Sequence, residues 1–400
     1  MKRIILFLLV SLALILIFFQ AQNPAWNRHL QTDVWIWYER VTNFFQHQSF
    51  NGLKDNELLP ATLLYVFLPA LASGWSVAPY FLYLKATLWV NLLILLGHFI
   101  AGTDKHRLLK ICLFSILVLA FGPISLFRFD GAATLLVILG LIFWQKQKFS
   151  FSGFVLGLAT GIKIYPVIFL PYLLLLNRKR LRSLKVFLLF YLAALLLPIL
   201  IFFSLGGRPD QVATALAFHS HKYVSIESLP ASLLTGLSLL KFHQPPPLLA
   251  GYGVWGIDLS FITNLKLQFF NLIWLLPVGV FYLYLLAKKT SLKKLNFGII
   301  FCLILLFLIF SKNLNPQYIW WFLSLYPFLK FNPLSFILLI FICIFNQLVY
   351  PLFYTQFLED FYRYNQHYQI FYCLLLRNLL IVALTVVSLR SVLVKRIIRA

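Results

Sequence analysis

The sequence predicts an all-α, polytopic membrane protein with about twelve transmembrane helices and long extracytoplasmic loops that carry short interfacial helices. Three observations predict it. Of 400 residues, 61% are hydrophobic and only 11% are charged, where a soluble domain carries about 25% charged residues. Mean hydropathy is +0.87, which excludes a water-soluble enzyme. The apolar residues also fall in continuous runs near the roughly 20 residues a spanning helix needs. Barrel strands would instead alternate in segments of about ten.

The expected spans, in chain order, are Ile4–Phe19, Leu58–Gly74, Tyr80–Ile100, Ile111–Phe127, Ala132–Trp144, Phe151–Leu176 and Val186–Leu205. Leu267–Ala287, Phe297–Phe310, Tyr318–Leu329, Leu334–Phe353 and Ile370–Leu389 follow. Residues 1–400 read as one integral membrane domain, with long outer loops at 20–57, 206–266 and 354–369. The first run resembles a signal peptide, but Phe19-Gln20-Ala21-Gln22 offers no small-x-small cleavage site, so an uncleaved anchor is expected.

Net charge is +23, from 34 Lys+Arg against 11 Asp+Glu. A nucleic-acid partner would require a basic face on a soluble domain. Here the bases read as orientation signals. Arg178, Lys179, Arg180, Arg182 and Lys185 form one cluster, Lys288, Lys289, Lys293 and Lys294 another. Lys2 and Arg3 open the chain, and Lys395, Arg396 and Arg399 close it. Placing all four groups in the cytoplasm puts the three long loops outside. It also puts basic Thr103–Lys110 and Gln145–Lys148 outside, and Arg128 and Asp130 inside as a structural ion pair. Asp130 is the rival carboxylate should that parity fail. The four cysteines, Cys112, Cys302, Cys343 and Cys373, lie in or beside apolar runs without CxxC spacing, as small buried hydrophobes do.

Nine of the eleven acids fall in the three outer loops: Asp33, Glu39, Asp55, Glu57, Asp210, Glu227, Asp258, Glu359 and Asp360. An ion-coupled transporter keeps carboxylates within its bundle, and no repeat relates the two halves of the chain. In the first loop, Asp33 precedes Val34-Trp35-Ile36-Trp37-Tyr38, where a partly desolvated carboxylate can act as a general base. Thr32-Asp33 before an apolar run equally suits a helix N-cap, and the two roles are compatible. Glu39, six residues on, is expected to face elsewhere.

Three stretches carry a resemblance. They are Thr32-Asp33 with Tyr38, the small-residue run Gly153 to Gly161 leading into Lys163-Ile164-Tyr165-Pro166, and Asn315-Pro316-Gln317-Tyr318-Ile319-Trp320-Trp321. Together they resemble the type C glycosyltransferases, specifically glycosyltransferase family 87, the polyprenol-phosphate-mannose-dependent alpha-mannosyltransferases. The Lys163–Pro166 stretch is also similar to GPI-anchor mannosyltransferase I. The resemblance implies the type C fold and an inverting transfer of a hexose, mannose in that family, from a polyprenyl-phosphate donor. It implies a glycolipid or glycan acceptor, an active site on the outer face of the inner membrane, and Asp33 as the base. Nothing in the chain resembles a nucleotide fold, which agrees with a lipid-borne donor.

The resemblance extends to Phe218–Pro230, where His219, His221 and Lys222, with Arg208 upstream, become candidate partners for the donor phosphate; each is also an ordinary surface residue in type. Lys163 is a further phosphate candidate, or a snorkelling cation. Tyr38, Glu227, Gln317 and Tyr318 are candidate substrate contacts, with interface anchoring the alternative for Gln317-Tyr318. Gly153, Gly157 and Gly161, four apart, suit close helix packing. No cofactor is expected, and a divalent metal is not indicated, because Asp33 has no adjacent second carboxylate and His219-x-His221 lacks a matched one. The expected partners are donor, acceptor and membrane lipid. The other function classes that fit the sequence are a lipid or polysaccharide transporter of flippase type, and a polymerase or ligase of lipid-linked glycans.

Overall fold

The computed structural model describes residues 12–13, 15–17, 19–24, 29–47, 49–50, 57–72, 85–86, 89, 91–93, 107–287 and 294–394. Most of the expected spans Ile4–Phe19 and Tyr80–Ile100, much of Thr103–Lys110, and the basic residues Lys2, Arg3, Lys288, Lys289, Lys293, Lys395, Arg396 and Arg399 lie outside the described residues.

The described chain is almost wholly helical. Its main helices are α1 (Thr32–His47), α2 (Pro60–Ala72), α3 (Arg107–Phe121), α4 (Asp130–Gln145) and α5 (Phe149–Ile162). Then come α6 (Leu181–Ser204), α7 (Pro209–His221), α8 (Leu229–Phe242), α9 (Leu275–Ala287), α10 (Phe297–Phe310), α11 (Pro333–Gln347) and α12 (Tyr368–Val394). Five stretches are long and apolar enough to cross a membrane, namely Leu109–Leu126, Leu181–Ser204, Leu267–Ala287, Pro333–Leu352 and Tyr368–Leu393. Each coincides with an expected span. Two helix starts carry asparagine caps: Asn296 accepts from Gly298 N at 2.8 Å to open α10, and Asn332 accepts from Ser335 N at 3.2 Å to open α11.

Two expected spans are corrected. Phe151–Leu176 is one apolar run in sequence but two helical legs in space. The first leg, α5, stops at Ile162 because the Pro166 ring would meet the carbonyl of residue 162 in a continuing helix. Lys163 turns extended, at φ −143° and ψ 128°, and a 3-10 turn at Tyr165–Phe169 leads into a returning leg, Leu170–Leu176. That leg comes back to the α4–α5 turn, where the Arg180 guanidinium donates to Gln147 Oε1 at 3.1 Å. The other correction concerns Tyr318–Leu329. It holds only a five-residue helix, Ile319–Leu323, between 3-10 turns, too short to cross and buried throughout.

The extra leg changes the parity. Gln145–Lys148 shares one end of the bundle with Arg178–Lys185, and the α3–α4 junction lies at the other. Arg128 and Asp130 therefore sit at the same end as Asp33, not opposite it. The Arg128 Nε stands 3.2 Å from Asp33 Oδ2.

Glycines set the tightest contact in the bundle. A Cβ on Gly153 would overlap the Phe187 carbonyl of α6, and one on Gly157 would overlap the Tyr191 carbonyl. Absent those atoms, the two backbones meet directly, as the spacing of four predicts.

The loop 206–266 carries α7, α8 and an antiparallel hairpin, β1 (Leu248–Gly251) and β2 (Val254–Ile257), paired Leu248 to Ile257. The hairpin is tied to the chain after α7 by Ile226 N to Trp255 O at 3.0 Å and Ile257 N to Val224 O at 3.1 Å. Thus the strand-like stretch 222–226 is held between the hairpin and Lys312, whose carbonyl accepts from Ser225 N at 2.9 Å.

Candidate functional site

A cavity of about 910 Å³ lies where these outer segments meet the helix ends. Helix α1 lines one wall with Asp33, Ile36, Trp37 and Arg40, the one-face spacing of an amphipathic helix. Glu39, expected to face elsewhere, also lines it. Across the cavity Arg40 pairs with Glu57 at 3.3 Å. Helix α1 begins at Thr32, so Asp33 lies in its first turn and not at its cap. Its side chain is 40% exposed and directed at Arg128, itself 5% exposed.

Arg128 is fixed through both terminal nitrogens of its fork. Nη1 donates to Leu30 O at 3.0 Å and Phe127 O at 2.9 Å, and Nη2 donates to Tyr350 Oη at 2.5 Å. Two residues on, Asp130 opens α4 fully buried; its Oδ1 accepts from Trp321 Nε1 at 2.7 Å and faces Lys163 Nζ at 3.5 Å. Trp321 stacks on Tyr165 at 4.1 Å and on Tyr318 at 4.2 Å. Two parallel rings that close must occupy opposite faces, so the indole is held as a fixed donor and both its faces are covered. Lys163 Nζ lies 4.3 Å from the Phe129 ring centre and 5.6 Å from that of Tyr318, a cation–π setting that helps hold a partly desolvated ammonium.

The third wall comes from the segment after α7 and the segment after α10. His219, Lys222 and Lys312 line the cavity together with Gln317 and Tyr318. Lys312 donates to Ser220 O at 2.8 Å and to Lys222 O at 2.5 Å, pinning one segment to the other. Burial first, and the neighbouring lysines second, push His219 down to about 3, so its imidazole is neutral at physiological pH. Burial, then Lys163, lowers Lys222 to about 8, with Asp33, Glu57 and Asp130 opposing. Burial, then Lys222, lowers Lys312 to about 8. Lys222 and Lys312 thus stay mostly charged at neutral pH and lose that charge just above it.

Of the residues expected from sequence, Asp33, Lys163, His219, Lys222, Gln317 and Tyr318 line this one cavity. The others do not. Arg208 pairs with its neighbour Asp210 at 2.8 Å on the exposed start of α7. His221 stacks on Tyr252 at 5.7 Å. Glu227 is buried beneath the loop, accepting from Tyr354 Oη at 3.0 Å and from Ser225 Oγ, while its carbonyl accepts from Arg377 and Asn378. Tyr38 lies off the lining face of α1 and packs against the core. Arg128, Asp130 and Lys312 also line it. The first two were assigned to the wrong side by parity. Lys312 carried one signal, a lone cation directly after the apolar run of α10.

Asp130 joins Asp33, Glu39 and Glu57 in the lining, and Asp33 and Asp130 each face a cation of the chain, Arg128 or Lys163. Among the described residues no group of three or more His, Cys, Asp or Glu is gathered as metal ligands would be. The arrangement suits an anion held by lysines beside an accepting carboxylate.

The model of glycosyltransferase family 87 matches residues 59–311. Neither a curated protein nor a solved structure matches the chain.

Proposed function

The chain belongs to glycosyltransferase family 87, and from that premise we propose an inverting hexosyltransferase that uses a polyprenyl-phosphate donor, with mannose as the sugar and a glycolipid or glycan as acceptor. One observation carries this reading: an accepting carboxylate, Asp33, shares a cavity with Lys163, Lys222 and Lys312. A transfer from a sugar phosphate needs both, a base for the incoming hydroxyl and positive charge for the departing phosphate.

In the proposed reaction Asp33 accepts the proton of the acceptor hydroxyl. The hydroxyl oxygen attacks the anomeric carbon from the face opposite the phosphate. The bond from that carbon to the phosphate oxygen breaks, its electron pair stays on the phosphate, and the configuration inverts. The lysines take up the growing phosphate charge. Neutral His219 serves as a hydrogen-bond donor or acceptor beside them.

The type C fold of about twelve spans and the orientation belong to the same proposal. Lys146, Lys148 and the Arg178–Lys185 cluster gather at the end of the bundle away from the cavity, which by the positive-inside rule is cytoplasmic. The cavity then opens on the outer face, where lipid-borne donors are available and nucleotide sugars are not.

The test is Asp33→Asn in purified protein, assayed for transfer from polyprenyl-phosphate mannose. A loss of about 10³-fold is expected for removal of a general base; unchanged transfer overturns the reading. Labelled lipid moved across proteoliposomes without a new glycosidic bond would favour the transporter alternative.

A further inference from the structure

We propose that Arg128 is a positioning residue for Asp33, a buried clamp that fixes the carboxylate's orientation towards the cavity and carries the charge balance of that group. The inference rests on the reading of Asp33 as the base, and deepens it.

The clamp is built from three separate parts of the chain. The guanidinium holds Leu30 O through Nη1, Tyr350 Oη through Nη2, and stands with Nε 3.2 Å from Asp33 Oδ2. Tyr350 Oη in turn donates to His29 O at 3.0 Å. Arg128 and Tyr350 therefore grip Leu30 and His29, two and three residues before Thr32, by their carbonyls, and Arg128 also faces the acid in the first turn of α1. The register with which the chain enters α1 is set at the point where the base projects. Tyr350 lies near the end of the spanning stretch Pro333–Leu352, so the base is referenced to the membrane-spanning scaffold and not only to its own loop.

Burial differs sharply across the pair: the Arg128 side chain is 5% exposed, that of Asp33 40%. A planar, pre-organised arginine loses little freedom on being held. A half-exposed aspartate without it would sample several rotamers. Misplacement by about 1 Å can cost on the order of 10²-fold in rate. Pairing leaves Oδ1 of Asp33 as the oxygen for the incoming hydroxyl.

Three variants test the clamp. Arg128→Met removes the cation, Arg128→Lys keeps a cation without the fork, and Tyr350→Phe removes one anchor while leaving the charge. The readout is kcat against the KM values of donor and acceptor, because a misplaced base slows the chemical step without weakening either substrate. The other groups with electrostatic reach of Asp33 are Lys222 and the phenols of Tyr318, Tyr350 and Tyr354, and Asp130 lies beyond Arg128.

Arg128→Met is expected to lower kcat by roughly 10²-fold with both KM values unmoved. Arg128→Lys, a cation without the fork, should not restore the rate. Tyr350→Phe should lower kcat by about tenfold, again with both KM values unmoved. A merely structural arginine would reduce the folded fraction and leave kcat per folded molecule in place, so wild-type kcat in folded Arg128→Met overturns the proposal. Should Arg128→Met fail to fold, Arg128→Lys and Tyr350→Phe with wild-type kcat overturn it equally. Asp33→Asn distinguishes the two failures: if that variant is active the reading of the base falls, and if it is inactive while the Arg128 variants behave as wild type only the clamp falls.

Discussion

Lys163 Nζ stands 3.5 Å from Asp130 Oδ1, joining the residue after α5 to the first residue of α4 at the cavity wall. The aspartate side chain is 2% exposed and the lysine 20%. Neither charge would be tolerated alone at that depth. The pair explains why a lysine follows so apolar a helix. Pro166 ends α5, and the freed chain turns its next side chain to a carboxylate that Trp321 already orients.

Asp130→Asn removes half of this pair and leaves a partly buried ammonium. A destabilisation of about 3 kcal/mol is expected, at the low end for breaking a buried ion pair. Asp130→Asn combined with Lys163→Met should recover most of that stability, because the asparagine still accepts from Trp321 and no charge is left unpaired. Donor KM should not recover with it, since the double variant lacks one of the cavity lysines. Thermal unfolding in detergent, with donor titration on the same samples, checks both outcomes. Wild-type stability in Asp130→Asn alone contradicts the pairing argument.

Much of this architecture is legible in the residues. Long apolar runs locate the five spanning stretches, and the polar, aromatic loops locate α1 and α7. Six residues that line the cavity, Asp33 and Lys163 among them, were legible in short motifs. What hydropathy does not register is direction. Phe151–Leu176 is uniformly apolar, so the reversal at Lys163 is invisible to a window average, and one missed leg carries Arg128 and Asp130 to the wrong side. The basic turn Gln145–Lys148, which that parity placed outside, was the available warning. Contacts distant in sequence are the other gap. Lys312 acts on carbonyls some 90 residues away, and Glu227 is drawn inward by Tyr354 and Arg377. Nothing local distinguishes such residues from surface ones.

The lowered lysines predict a pH dependence for donor binding. An anion binds the protonated ammonium, and Lys222 and Lys312 both ionise at about 8. Their charge is present below that value and is lost as pH rises through it. Donor KM is therefore expected to climb between pH 7 and 9 while acceptor KM stays flat. Lys222→Arg should flatten the climb, because arginine remains charged throughout this range. The check is donor KM measured at half-unit steps of pH in both proteins. An equal climb in Lys222→Arg would assign the effect to another group.

The glycine contact between α5 and α6 gives the last prediction. On Gly157 a methyl would overlap the Tyr191 carbonyl and approach Ala194 Cβ at 2.9 Å. Both neighbours are backbone or first side-chain atoms of a helix, so neither can swing aside, and α5 must shift bodily. Gly157→Ala is expected to cost about 1–3 kcal/mol, as overpacking does. Lys163 follows α5 by one residue, so the shift also reaches the cavity and should raise donor KM. Gly279 provides the control. It lies within α9 with nothing within 4 Å of a built Cβ, and Gly279→Ala should be neutral or stabilise by up to about 1 kcal/mol through helix propensity. Paired thermal unfolding of the two variants separates the cost of the contact from the general effect of adding a methyl to a helical glycine. Equal behaviour of Gly157→Ala and Gly279→Ala would mean that α5 and α6 do not meet backbone to backbone.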